Sequence, residues 1–321
     1  MASPTVLIAG SPRSGTTWLG KVLDSHPDVL YRHEPDASAG DRALPAVVDP
    51  EAVQCMTGKA KAFLETMRQA HDVRTVGTRP FFRKRYRGLA AHAAVVAQIY
   101  AMKGLERVFW PGGAGQRLRV AELVRGGAAP VPVVKSVSAL GQAALYRAAD
   151  PDLHILHLLR HPCGQIASVV RGRKAGLMKG VPYIHQLARS AKANALGLDP
   201  AMTKRLSYVE QLAWSWTVRN SMAYDALQAD PLYRVVLFER LVAEAETQVP
   251  AVLAFCGLTM NGQVTRFVEA SRASQGEVRY FDLRRDPVTA IQRWRKDLEP
   301  EEIDVILAIA SRAPVGRLFT G

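Results

Sequence analysis

The stretch that decides the fold is Thr5–Pro27, TVLIAGSPRSGTTWLGKVLDSHP. Thr5–Ala9 is a short, largely apolar run ended by Gly10, the pattern of a strand buried on both faces. Beyond the loop Gly10–Gly15, Trp18, Leu19, Val22 and Leu23 recur at helical spacing, and His26-Pro27 ends the helix. Strand, glycine loop and helix in that order aim loop amides and a helix N-terminus at one point, where an anion can sit. The loop comes close to the phosphate-binding pattern G-x-x-x-x-G-K-[ST], with Gly10 and Gly15 correctly spaced. Thr16 stands where that pattern has its lysine, and an arginine, Arg13, lies inside the loop. The missing lysine serves the β and γ phosphates and the last hydroxyl serves Mg²⁺, so nucleotide hydrolysis lacks a central part here. What remains is a cradle of backbone N–H groups, the hydroxyls of Ser14, Thr16 and Thr17, and the Arg13 guanidinium. Such a cradle suits a 5′-phosphate bearing a second acidic group and requires no metal.

Working outward, Val131–Val134 reads as a second buried strand with Lys135 at its C-terminal end. Leu153–Leu159 reads as a third with Arg160 at its end, and Arg234–Phe238 as a fourth. Val29–Tyr31 is a short strand-like segment. Pro162 opens a helix carrying Ile166, Ala167, Val169 and Val170, while Tyr208–Gln228 and Glu301–Ala310 are further helices. Strands alternating with helices predict an α/β fold with a mostly parallel central sheet flanked by helices. Ligands of such sheets sit outside the carboxyl ends of the strands, so Arg13, Lys135 and Arg160 are expected to converge there. Residues 37–130 are helical in texture and basic, and read as an insertion over the acceptor site within one domain, 1–321.

The chain has 321 residues, 48% apolar and 22% charged, a globular composition with ample core. A net charge of +13 attracts anions: nucleic acid, acidic lipid headgroups, polyphosphate ligands or acidic glycans. Cys55, Cys163 and Cys256 are far apart and form no CxxC pair, which argues against a disulfide framework or a zinc cluster. No apolar run reaches the roughly 18–20 residues that span a membrane. The expectation is a reduced, cytoplasmic setting, no metal and no transmembrane segment.

SPRSGTTWL resembles the 5′-phosphosulfate loop of sulfotransferases that use PAPS, 3′-phosphoadenosine 5′-phosphosulfate. LLRHPCGQIASVV, Leu158–Val170, resembles their 3′-phosphate motif, in which a strand-end arginine is followed by a helical serine; here these are Arg160 and Ser168. PVVKSV, Pro132–Val137, is similar to the central strand ending in a lysine in the carbohydrate and protein-tyrosine branches. YRVVLFERLV and IQRWRKDL resemble two further signatures towards the C-terminus, with Phe238 in place of the usual tyrosine.

The resemblance implies a P-loop-like fold and sulfuryl transfer from PAPS to a hydroxyl of a carbohydrate, lipid, tyrosine or metabolite. It implies Glu34, in YRHEPD, as the base, with His33 as runner-up; Glu34 could instead be a loop carboxylate held by Arg32 or His33. The aryl branch carries a catalytic histidine where this chain has Val137, which leaves Glu34 the stronger candidate. Arg13 and Lys135 would stabilise charge on the sulfuryl group and leaving oxygen. Ser14, Gly15, Thr16 and Thr17 would bind the 5′-phosphosulfate, and Arg160 and Ser168 the 3′-phosphate. Trp18 is either core or near the adenine. Ser271, Ser274, Arg284, Arg285, Arg295 and Lys296 are available to complete the 3′-phosphate site.

RPFFRKRYR, Arg79–Arg87, interleaves cations with aromatic rings. That mix suits a solvated lid, an acidic acceptor or nucleic acid. PAPS itself carries about four negative charges near neutrality, so a basic cleft is expected even with a neutral acceptor. Competing readings of the whole chain are a P-loop kinase of a small metabolite and a non-catalytic protein that binds nucleotides or nucleic acid.

Overall fold

Val6, Leu7, Ile8 and Ala9 are all fully buried, as befits the central strand of a covered parallel sheet. In the computed structural model, which describes residues 4–38, 44–109, 118–178, 184–272 and 291–319, they form β1 (Val6–Ala9). The loop follows, then α1 (Thr16–Asp24), β2 (Val29–His33) and a single turn α2 (Pro35–Ser38). α3 (Pro50–Gln69), α4 (Val73–Val76) and α5 (Leu89–Phe109) lead to β3 (Val131–Ser136). Next come α6 (Ala143–Ala149), β4 (His154–Leu159), α7 (Pro162–Lys174), α8 (Ile184–Leu187) and α9 (Ala191–Ala195). α10 (Tyr208–Leu227) precedes β5 (Tyr233–Leu237), and α11 (Phe238–Ala243), α12 (Ala245–Phe255) and α13 (Gly262–Arg272) follow it. α14 (Trp294–Asp297), α15 (Pro300–Ala310) and α16 (Pro314–Arg317) complete the described chain.

The five strands run in the order β2-β3-β1-β4-β5 and every neighbouring pair is parallel. The chain leaves β3 on one side of β1 and enters β4 on the other. This makes the carboxyl end of β1 the switch point where a crevice opens. One face of the sheet packs Val6, Ile8, Val133 and Leu156 against α1 and α11–α13. The other packs Leu7, Val134 and Ile155 against α3, α6 and α10, with Leu64, Leu145 and Tyr146 at its centre. A third cluster joins α7, α10 and α15 around Trp214 and Trp294. α10 starts on a capping box in which Ser207 and Glu210 each take the other's backbone N–H, which fixes its register over the sheet.

Two strand ends differ from the sequence reading. Lys135 lies inside β3, not beyond it, because β1 still offers partners there: Ile8 pairs with Lys135 and Ala9 with Ser136. Phe238 lies outside β5, because β4 stops at Leu159, the partner of Leu237, and the ladder has nothing further to bond. β2 extends to His33, which pairs with Lys135. Among the described residues, no helix is long and apolar enough to cross a membrane.

Candidate active site

The loop after β1 closes by Ser14 N–H donating to Ser11 O at 3.1 Å. Two residues hold left-handed backbone there, Arg13 at φ 71° and Gly15 at φ 99°. Glycine accepts this freely, whereas Arg13 carries a strain of about 1 kcal/mol. Neither glycine has room for a side chain. A Cβ on Gly10 would lie 2.7 Å from Thr16 Cγ2 and 2.8 Å from Leu158 O, and one on Gly15 would collide with the Phe238 ring. α1 then begins at Thr16 with no side-chain cap and no acid in its first turn. Trp18 N–H donates to Gly15 O at 3.0 Å, whereas the N–H groups of Thr16 and Thr17, at the positive dipole end, have no acceptor among the described residues. Ser14 Oγ is buried and has no hydrogen-bond partner among the described residues. Thr16 is buried and Thr17 half-buried. A phosphate-sized anion fits these features.

Arg160 and Ser168 come to this loop from β4 and α7. Arg160 Nη1 donates to Arg13 O at 3.0 Å, and Arg13 Nε donates to Ser168 Oγ at 3.1 Å. The Arg160 guanidinium also lies 4.6 Å over the Phe238 ring, and its carbonyl accepts the Trp216 indole N–H at 3.1 Å. Gln165, one turn before Ser168 on α7, donates to Pro12 O at 2.6 Å. Arg160, just after β4, and Gln165, on α7, thus clamp the loop backbone, and Ser168 holds the Arg13 side chain. The sequence reading missed Gln165, although its i, i+3 spacing from Ser168 places both on one helix face.

On the other side of the crevice, the Lys135 ammonium is paired with Glu34. Lys135 is only 1% exposed, while the Glu34 side chain keeps 30% of its surface open. Burial lowers the Lys135 pKa, and Glu34 and Asp36 oppose that shift. Glu34 N–H donates to Lys135 O at 2.8 Å, and Glu34 holds a left-handed φ of 45°. Neither Arg32 nor His33 is the partner suggested for Glu34. Arg32 is buried, pairs with Glu122 and donates to Arg68 O at 2.9 Å. His33 Nδ1 shares a hydrogen bond with the Tyr31 hydroxyl at 3.0 Å, and burial, reinforced by Lys135, pushes its pKa down to about 4. Next to this pair, Ser136 Oγ donates to Asp36 Oδ2 at 2.6 Å while accepting the N–H groups of Ser138 and Ala139. Burial raises the Asp36 pKa. Sequence inspection did not single out Asp36, because its partner lies 100 residues away across the β2–β3 pairing.

Trp18 takes the core alternative: it is buried among the α1 side chains and its indole N–H donates to Ser271 Oγ at 3.0 Å. That bond also occupies Ser271. Trp294 is buried and stacks on His161 at 4.7 Å. Burial, then the nearby Arg295 and Arg160, lowers the His161 pKa to about 4. Arg295 is exposed, its guanidinium 4.5 Å over the Trp294 ring, and Lys296 is exposed beside it. Neither touches the loop in the described contacts. Ser274, Arg284 and Arg285 lie outside the described residues. Glu239, also unforeseen, accepts the His161 backbone N–H at 3.1 Å at the start of α7, and burial raises its pKa.

The basic segment divides into inward and outward residues. Lys84 Nζ is buried and donates to Asp24 Oδ1 at 2.9 Å. Lys21 Nζ donates to Asp24 Oδ2 at 2.7 Å and to Thr78 O at 2.8 Å. Burial works against the Asp24 anion, but the two ammoniums outweigh it and hold its pKa below the usual range. Tyr86 is buried and donates to Val29 O at 3.3 Å, whereas Arg79, Arg83 and Arg85 are exposed. The segment therefore fastens part of 37–130 to α1 and to the free edge of β2. Cys55 is an exposed free thiol, Cys163 and Cys256 are buried ones, and burial raises the latter two to about 12. Among the described residues, no group of three or more His, Cys, Asp or Glu is placed to hold a metal ion.

A comparison with curated proteins found no match. Solved structures with similar chains include the sulfotransferase domain of the Synechococcus PCC 7002 olefin synthase, at 18% identity and TM-score 0.44, covering 97% of this chain and 96% of that one. A sulfotransferase from Alicyclobacillus acidocaldarius is 18% identical at TM-score 0.40, with 97% of each chain covered. Mouse sulfotransferase SULT7A1 complexed with PAP is 12% identical at TM-score 0.46, covering 99% of this chain and 88% of that one. The model of the sulfotransferase family matches residues 4–262, which takes in β1, the loop, all five strands and both sides of the crevice. The chain therefore belongs to the sulfotransferase family.

Proposed function

We propose that the protein transfers the sulfuryl group of PAPS to a hydroxyl of an acceptor. The observation that carries this reading is the meeting of Arg160 and Ser168 with Arg13 of the loop. One cationic corner then lies next to an uncapped helix, with anchors for both charged ends of the donor. The loop and α1 hold the 5′-phosphosulfate, and Arg160 and Ser168 hold the 3′-phosphate, a group ATP lacks. The bound donor supplies the sulfuryl group and a phosphate leaving group.

The protein's part is positioning, proton transfer and charge stabilisation. Glu34 accepts the proton of the acceptor hydroxyl as its oxygen bonds to sulfur and the sulfur–oxygen bond to the leaving phosphate breaks. On taking that proton Glu34 loses its charge and its hold on Lys135. The Lys135 ammonium then turns to the oxygen that departs, beside Arg13. Proton uptake at one end of the pair thereby releases a cation at the other. Glu34 stands in the place of the carbohydrate and protein-tyrosine branches. The acceptor is a carbohydrate, lipid, tyrosine or metabolite. A single domain, with residues 37–130 as an insertion on the acceptor side, in a reducing cytoplasmic setting, completes the proposal; three free thiols support the setting.

Calorimetry with PAP (the desulfated donor), 5′-AMP and ATP-Mg²⁺ tests it. PAP should bind at least about tenfold more tightly than 5′-AMP, from one lost charge-assisted contact. Preference for ATP-Mg²⁺ would favour a kinase, and salt-sensitive oligonucleotide binding without PAP binding would favour a nucleic-acid protein.

A further inference from the structure

Seven of the twelve large apolar side chains exposed among the described residues fall between residues 89 and 124, on α5 or in the stretch leading to β3. α5 is about 30 Å long. At about 100° per residue, its Val95 and Ile99 face one way, into a buried cluster with Val73 and Val120. Leu89, Ala93, Ala97, Ala101, Leu105 and Val108 share the opposite half and are all exposed, Leu89 at 65% and Val108 at 70%. A surface helix turns its charged residues outward, whereas a helix that is apolar all round has every side covered. Among the described residues, the second side of α5 has no cover.

The charges around this face are of one sign. Residues 79–125 contain ten lysines and arginines against two acids, Glu106 and Glu122. Both acids are already paired, Glu106 with Arg74 at 2.6 Å and Glu122 with Arg32. Three exposed arginines border the apolar side chains. Arg107 precedes Val108 on the outward half of α5. The Arg79 guanidinium sits 4.6 Å over the ring of Tyr100, itself exposed. Arg125 Nη2 comes within 2.7 Å of where a Cβ on Gly88, the neighbour of Leu89, would lie. Leu123 and Val124, both exposed, lead into Arg125 and extend the apolar surface at that end.

A contiguous apolar patch with a polar rim marks a contact with protein or membrane. A second copy of the chain would bring the same arginines and no unpaired acid to meet them, so like charges would face each other. Nucleic acid would meet the arginines but leave the Ala, Leu and Val side chains against a polar, wet surface. A bilayer with anionic head groups answers both parts at once. We infer that the outward face of α5 docks on an anionic membrane surface. Leu89, Leu105 and Val108 enter the boundary between head groups and acyl chains, and Arg79, Arg107 and Arg125 meet the lipid phosphates and carboxylates. The helix lies in the plane of that boundary and does not cross it, since among the described residues no helix is apolar enough to span a bilayer. This docking goes beyond the proposed sulfuryl transfer and does not depend on it.

Co-sedimentation of the full chain with vesicles tests it. Vesicles of phosphatidylcholine with phosphatidylserine should bind at least about tenfold more tightly than phosphatidylcholine alone, from three arginines at the surface. Val108→Glu should cut binding to the mixed vesicles by about tenfold or more with the melting temperature unchanged, because the side chain is already in water. Should that variant fail to fold, Ala97→Glu, also at an exposed position, should give the same loss. Arg107→Gln should narrow the difference between the two vesicle types. Val305→Glu, at an exposed apolar position on α15, should leave binding intact. No binding to mixed vesicles would overturn the proposal. So would binding equally weakened by Val305→Glu, or untouched by Val108→Glu, since the net charge of +13 alone would then explain it. A dimer in lipid-free sedimentation that Val108→Glu dissociates would give the face to a second copy instead. Oligonucleotide binding lost in Val108→Glu, without vesicle binding, would give it to nucleic acid.

Discussion

The proposed donor corner and the proposed acceptor flank of the site are built in opposite ways. At the donor corner, side chains from β4 and α7 bond to loop backbone, as Arg160 does to Arg13 O and Gln165 to Pro12 O. The N–H groups of Thr16 and Thr17 stay without an acceptor among the described residues, open to an incoming anion. On the flank, buried cations are matched to carboxylates of the same chain: Lys135 to Glu34, Lys21 and Lys84 to Asp24, Arg32 to Glu122. The first arrangement presents charge and the second consumes it. A net charge of +13 is therefore a poor guide to where an anion binds.

If the two ends are separable, Glu34→Gln should lower turnover by roughly 10²–10⁴-fold, the usual worth of a general base, while the PAP dissociation constant stays within about twofold. Loss of PAP binding in that variant would mean that the Lys135–Glu34 pair also shapes the donor corner. Lys84→Met leaves the buried Asp24 carboxylate with one cation instead of two. It should cost roughly 3 kcal/mol of stability in urea titrations without weakening PAP. A weaker PAP complex would show that the flank reaches the loop through α1. Arg160→Ala should weaken PAP by about 30-fold, near 2 kcal/mol for a charge-assisted contact, with stability little changed. A purely structural Arg160 would show the reverse.

The smallest effect expected lies under the sheet, away from both ends. His157 is fully buried, its Nδ1 2.6 Å from the Tyr233 hydroxyl and its Nε2 2.9 Å from Asn220 Oδ1. Burial lowers its pKa from 6.5 to about 4. The unfolded chain takes up a proton there first, so this contribution is complete above pH 6.5 and is lost as pH falls towards 4. At pH 5.5 the loss is about 1.4 kcal/mol, and His157→Gln should flatten the acid side of the stability curve by that amount. An unchanged slope would mean that the proton enters elsewhere.

The donor corner was the more legible half because its signals are local. Gly10, Gly15 and the α1 periodicity lie within one short run, and Arg160 and Ser168 share one strand–helix turn. The flank depends on pairing across the chain. Glu34 meets Lys135 only because β2 lies beside β3, 101 residues apart in sequence. RPFFRKRYR has the composition of a lid or a nucleic-acid patch, and nothing in its spacing shows that Lys84 and Tyr86 turn inward while Arg83 and Arg85 stay in water. Strand ends were misplaced by a residue or two because a ladder's length is set by its neighbours: Lys135 joins β3 through Ile8, and Phe238 leaves β5 for want of a partner.

The bare start of α1 has a consequence for the protein's thermal behaviour. A helix whose first two amides find no acceptor among the described residues is an unfinished object, and an arriving dianion completes it. Inorganic sulfate or phosphate, with no nucleoside attached, should raise the melting point in step with the logarithm of its concentration once that exceeds the dissociation constant. On the proposed function, the donor would then be a late-added piece of the architecture as much as a reactant.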